Sequence, residues 1–170
     1  MNRPQYVLLR VNRYFITLSL VLAFLLNLLP WGKNPMTPDF FALVLIFWNI
    51  HQPRKVRMSV AFIVGVLIDV HRAVFLGEHA LVYTLLSYGA IMIHRRVLWV
   101  TPLGQTLHVL PLLLLAYIVR FIIRLVAGTK FPGWLPLATG FIEALLWPVI
   151  CLLLLAPQKC AVDRDDTRPI

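Results

Sequence analysis

Asp69, Arg120, Arg124 and Glu143 stand inside long apolar runs, where an unpaired charge is costly. Side chains of these types can pair as ions, pass protons or hold a polar group of a partner. Arg120 and Arg124, four residues apart, share one helix face. The expected arrangement is an internal ion cluster in which Arg120 faces Glu143 and either Arg124 or Arg72 approaches Asp69. Three roles are open to it: structural cohesion, a proton or substrate pathway, or a polar contact to a partner helix. Other chemistry finds less support. His71 and His79 could meet across a short gap but lack a third ligand at metal spacing. The spacing shows no Gly-rich phosphate loop, no nucleophile elbow and no serine–histidine–carboxylate set. An enzyme is not indicated: no catalytic residue, cofactor or metal is expected, and Cys151 and Cys160 read as reduced thiols.

The elements that position these charges are apolar blocks at residues 14–29, 40–50, 56–70, 79–93, 106–127 and 135–156. A helix needs about 20 residues to cross a hydrocarbon core of about 30 Å. The second block falls short unless its flanks, residues 36–52, join it and the bilayer thins locally. The reading is therefore an all-α, polytopic six-helix membrane bundle, with five crossings or a re-entrant pair as alternatives. Residues 1–157 form one transmembrane domain, and residues 158–170 a short tail expected to be disordered.

Basic residues fix the orientation. Arg3, Arg10 and Arg13 precede the first block, and Arg54, Lys55 and Arg57 fill the second gap. Arg95 and Arg96 lie in the fourth gap, and Lys159, Arg164 and Arg168 in the tail, making eleven on one side. The other gaps hold Lys33, Arg72 and Lys130. The positive-inside rule then places both termini in the cytoplasm and the four intramembrane charges in the outer half of the bilayer. A re-entrant second and third block would drag Arg54, Lys55 and Arg57 inward at about 2.5–3.5 kcal/mol each, so spanning is favoured.

Composition agrees. The chain is 60% hydrophobic and 14% charged, against about 25% charged for a soluble domain, and its mean hydropathy is +0.82. The net charge of +9 is spread over small patches at helix ends, so it reads as topology signal and contact with anionic lipid, with no nucleic-acid partner. Trp31, Trp48, Trp99, Trp134 and Trp147 fall near block ends and are expected as interfacial anchors. Pro111 and Pro148 sit inside blocks, where kinks are expected. Ala61, Gly65 and Asp69 recur every four residues, a small-residue ridge that could receive a partner's helix. Gly77 lies in a tight turn where a positive φ is expected.

Three motifs, taken in order, carry a resemblance. The first is Pro38, Asp39, Phe40 and Phe41 running on to Trp48, with His51, Gln52, Pro53, Arg54 and Lys55 behind it. The second is the helix from Ala61 through Gly65 to Asp69, and the third the turn at Leu76, Gly77 and Glu78. With Glu143 and the late Trp147 and Pro148, they resemble the bacterial rod shape-determining MreD family over most of the chain. The resemblance implies a non-enzymatic, multi-pass inner-membrane subunit of the cell-elongation machinery, acting on cell shape and lateral peptidoglycan synthesis. Its implied partner is MreC, through a transmembrane helix, and through the complex MreB, RodA and a class B penicillin-binding protein. The family is also similar, distantly, to the substrate-binding subunits of energy-coupling-factor transporters. A vitamin-type transporter subunit is therefore the alternative.

Overall fold

The computed structural model describes residues 12–29, 37–128 and 135–159. These form α1 (Arg13–Leu28), α2 (Phe40–His51), α3 (Met58–Arg72), α4 (Glu78–Val97), α5 (Pro102–Val126) and α6 (Leu135–Lys159). Each helix coincides with one apolar block, and the described residues contain no strand. α5 and α6 continue through Pro111 and Pro148.

The shortest helix is the central one. Every residue of α2 except Phe40 and His51 is buried, because α1, α4 and α6 pack around it. A helix apolar on all sides needs such an enclosure. With 12 residues it is roughly 18 Å long. The expected extension over residues 36–52 is not taken up: Asp39 Oδ1 accepts the Ala42 N–H at 3.0 Å and sets the start. Gln52 ends the helix, held out of helical geometry by Pro53 behind it. Met36 lies outside the described residues.

α3 and α4 form a tight hairpin. A Cβ at Gly65 would lie 2.3 Å from Ala80 Cα, so only glycine admits this approach. The turn between them relies on Gly77 at φ +104°, which stands as the N-cap of α4.

Polarity is inverted relative to a water-soluble domain. Leu22 and Leu25 of α1, Ile63 of α3, Leu107 and Ile122 of α5, and Leu145 and Leu153 of α6 are exposed. Asp39, Asp69, Glu78 and Glu143 are buried. An apolar exterior of this extent belongs in lipid, where it costs nothing, while enclosed carboxylates find partners inside. Within α5 and α6, Leu103–Val126 and Ala138–Pro157 are long and apolar enough to cross a membrane.

The tryptophans divide. Trp99 is 91% exposed beyond the end of α4. Trp48 and Trp147 are instead fully buried and are core residues. Trp48 Nε1 donates to Ser19 Oγ at 2.8 Å, and Trp147 Nε1 to Gln105 Oε1 at 3.4 Å. Trp147 lies midway along α6, and Trp48 is enclosed by the helices packed around α2, so neither is an outward-facing anchor. Trp31 and Trp134 lie outside the described residues.

Candidate functional site

Five helices meet at one end of the bundle in a buried polar network centred on Asp39. Its position follows from its capping role, which fixes the carboxylate at the N-terminus of α2. Oδ1 accepts from Asn27 Nδ2 of α1 at 2.7 Å, and Oδ2 from the Tyr83 hydroxyl of α4 at 2.7 Å. Asn27 Oδ1 accepts in turn from the Phe40 N–H at 3.1 Å. Glu143 Oε1, on α6, takes the Asp39 N–H and the Tyr117 hydroxyl, each at 2.7 Å. The otherwise orphaned backbone donors at the start of α2 are thereby satisfied from two other helices.

The arginines of α5 close the network. Arg120 Nη2 lies 3.6 Å from Asp39 Oδ2, and its Nε lies 3.6 Å from Glu78 Oε1. Its guanidinium also sits 5.5 Å from the centre of the Tyr117 ring. Arg124 reaches the same Glu78 oxygen through Nε at 2.9 Å and Nη2 at 2.8 Å. Two carboxylates, Asp39 and Glu78, therefore share two guanidinium groups. The free space among these side chains is about 10 Å³, room for about one water.

Asp69 forms a second centre at the α3–α4 turn. Its Oδ2 accepts the Gly77 N–H at 2.8 Å, and its Oδ1 accepts the His79 N–H at 2.9 Å and His79 Nδ1 at 2.6 Å. Arg72 Nη1 is 3.4 Å from His79 Nε2. Arginine only donates, so Nε2 accepts and the imidazole proton lies on Nδ1, toward Asp69. Asp69 thus ties the turn to the first residues of α4.

These contacts revise the expected cluster. Arg120 and Glu143 border the same small space, but the ion partners of Arg120 are Asp39 and Glu78. Glu143 serves as a cap and hydroxyl acceptor. Arg124 pairs with Glu78, and Asp69 with His79, while Arg72 reaches His79. The ridge of Ala61, Gly65 and Asp69 is also reassigned. All three residues are buried, and Gly65 lies directly against Ala80 of α4, so the close approach it permits is used within the chain.

Asn27, Tyr83 and Tyr117 were not singled out from sequence, and Glu78 stood there as part of the turn motif and not as a charge of the cluster. One signal pointed to Glu78, since it follows the Gly77 turn at the same end of the bundle as the other charges. Of the motif positions, Asp39 and Asp69 are the two polar centres and Gly65 and Gly77 are the two close backbone points. Trp147 is core, Pro38 directly precedes the Asp39 cap, and Pro148 continues α6. Among the described residues no group of His, Cys, Asp or Glu has metal-binding geometry.

A family model described as rod shape-determining protein MreD matches residues 9–156. The rod shape-determining protein MreD of Haemophilus influenzae is 32% identical over 151 residues, which cover 85% of this chain and 91% of that protein. No solved structure matches.

Proposed function

The chain belongs to the MreD family of rod shape-determining proteins, and from that premise we propose that it is a non-enzymatic inner-membrane subunit of the cell-elongation machinery. In this reading it binds the transmembrane helix of MreC, and through that complex it meets MreB, RodA and a class B penicillin-binding protein. By this route it helps control shape and lateral peptidoglycan synthesis. All six helices cross the membrane, with both termini in the cytoplasm. The observation that carries the proposal is the inverted polarity of the bundle, with buried ion pairs inside and leucine outside. A bundle that holds its charges inside and shows apolar faces to lipid is suited to meet a partner's helix in the bilayer.

Two features support the orientation. The network gathers the C-terminal halves of α1 and α5 with the N-terminal halves of α2, α4 and α6, as strict up-and-down threading requires. Arg54, Lys55, Arg57, Arg95 and Arg96 lie toward the opposite helix ends. Since the Ala61–Gly65 ridge is engaged by α4, the partner's helix is assigned to the outer apolar faces. The alternative vitamin-binding subunit needs a polar cavity of about 300 Å³ or more among the intramembrane charges, where the network leaves about 10 Å³, and the larger groove between α1 and α3 is lined mainly by apolar side chains.

Affinity purification of the tagged chain from its own membranes in mild detergent tests the proposal. MreC should co-purify at a fixed ratio. A tagged, folded chain that complements growth as a rod yet brings down no MreC would remove the adaptor role.

A further inference from the structure

At the end of the bundle opposite the ion network, a basic pocket opens into an apolar groove. The pocket, of about 250 Å³, is lined by Arg13 and Thr17 of α1 and by Arg54, Lys55 and Arg57 of the α2–α3 connection. The groove, of about 360 Å³, runs between α1 and α3 past Leu20, Phe24, Val60, Val64 and Leu67. Ile16, Thr17 and Lys55 line both, so the two are continuous.

We infer that this is a binding site for one anionic glycerophospholipid, its phosphate held by Arg13, Arg54, Lys55 and Arg57 and an acyl chain lying in the α1–α3 groove. Charge is the first argument. The four described carboxylates, Asp39, Asp69, Glu78 and Glu143, all belong to the two polar centres at the other end, and among the described residues no ion pair involves Arg13, Arg54 or Arg57. The helix ends give a second argument. Arg13 opens α1 and Arg57 is the N-cap of α3, neither helix has an acid in its first turn, and no side chain caps α3. Cations at the positive ends of two helix dipoles repel them, and an anion between the ends relieves both. Length is the third. Met58 to Leu67 spans roughly 14 Å of helix, close to the roughly 15 Å that one leaflet contributes to a hydrocarbon core.

The site rests on the membrane placement proposed above, and it names a ligand that placement does not require. Native mass spectrometry of the full chain released from detergent, titrated with phosphatidylglycerol or phosphatidylcholine, tests it. One phosphatidylglycerol should be retained per chain, with roughly tenfold preference over phosphatidylcholine. Arg54→Gln with Arg57→Gln should weaken it by roughly 30-fold, from the worth of two cations beside an anionic headgroup. Arg95→Gln with Arg96→Gln, equally basic and outside the pocket, should leave it unchanged. Val60→Trp should fill the groove and abolish retention. Val60 is 38% exposed, so the change is tolerable, and Val21→Trp from the facing wall substitutes should it not fold. Equal retention of both lipids, retention of neither, an equal loss in the Arg95/Arg96 variant, or no effect of groove filling would each overturn the site. A chain that stays folded without detergent or lipid would instead sink the membrane placement.

Discussion

The backbone N–H of Asp39 donates to Glu143 Oε1 at 2.7 Å, so the last helix caps the second across 104 residues of sequence. The same oxygen accepts from Tyr117 on α5. Glu143→Leu leaves a buried amide and a buried hydroxyl without an acceptor, at about 1–3 kcal/mol each. Glu143→Gln keeps an oxygen in place and should cost about 1 kcal/mol. Unfolding in detergent should therefore rank wild type, Gln, then Leu. Equal losses for the two variants would mean that the charge, and not the acceptor, is what the site needs.

Glu78 and Arg124 are expected to behave as one unit. The two groups meet through two short contacts to a single oxygen, and the carboxylate is buried. Breaking a buried pair by removing one partner is typically worth about 3–5 kcal/mol. Arg120 Nε still lies 3.6 Å from Glu78 Oε1, so Arg124→Leu leaves the carboxylate a partner and should cost less than Glu78→Leu, which takes a carboxylate from both arginines. In a cycle built from Glu78→Leu and Arg124→Leu, the double variant should be less damaged than the sum of the singles by about 1–3 kcal/mol. Additive losses would show the pair to be incidental.

The addresses of these charges were legible in the sequence, but their partners were not. Block counting and basic-residue parity put Asp69, Arg120, Arg124 and Glu143 at one end of a helical bundle, and the network assembles there. Partner choice depends on helix rotation and depth, which one-dimensional spacing leaves open. α2 shows why. Asp39 stands just before the second apolar block, in the flank and motif that sequence marked without assigning it a partner, yet α2 begins deep within the bundle beside Glu143, about 12 Å along α6 from its first residue. A capping residue thereby became the centre of the site. Enclosure of the same short helix turned Trp48 from an expected anchor into core. The small-residue ridge was legible as a close-packing face, but its neighbour proved to be α4 of the same chain.

Gly65→Ala tests that reassignment. The added methyl meets backbone atoms of Ala80 and His79 at 2.3–2.8 Å, and backbone cannot swing aside as a flexible side chain would. Overpacking of this kind costs about 1–3 kcal/mol or more. The hairpin should loosen even in the purified chain without any partner present, seen as a lower melting temperature and faster amide exchange in the 73–77 turn. If Gly65→Ala left the isolated chain unchanged and weakened only partner co-purification, the ridge would be an interface after all.

Threading direction decides the remaining assignments, and two turns report it with opposite signs. Arg54, beside Lys55 and Arg57, is exposed in the α2–α3 connection, whereas Leu76, 73% exposed, lies in the α3–α4 turn between Ala73 and Gly77. The basic connection should stay inside because retained Lys and Arg set topology. The α3–α4 turn should lie outside with the ion network beneath it. In a background with Cys151→Ser and Cys160→Ser, Leu76→Cys should react with a membrane-impermeant maleimide on intact spheroplasts. Arg54→Cys should react only after permeabilisation. Reaction at Arg54→Cys from outside, with Leu76→Cys protected, would invert the bundle. The Asp39 network would then face the cytoplasm and the basic pocket the exterior, and the lipid assigned to that pocket would have to come from the outer leaflet.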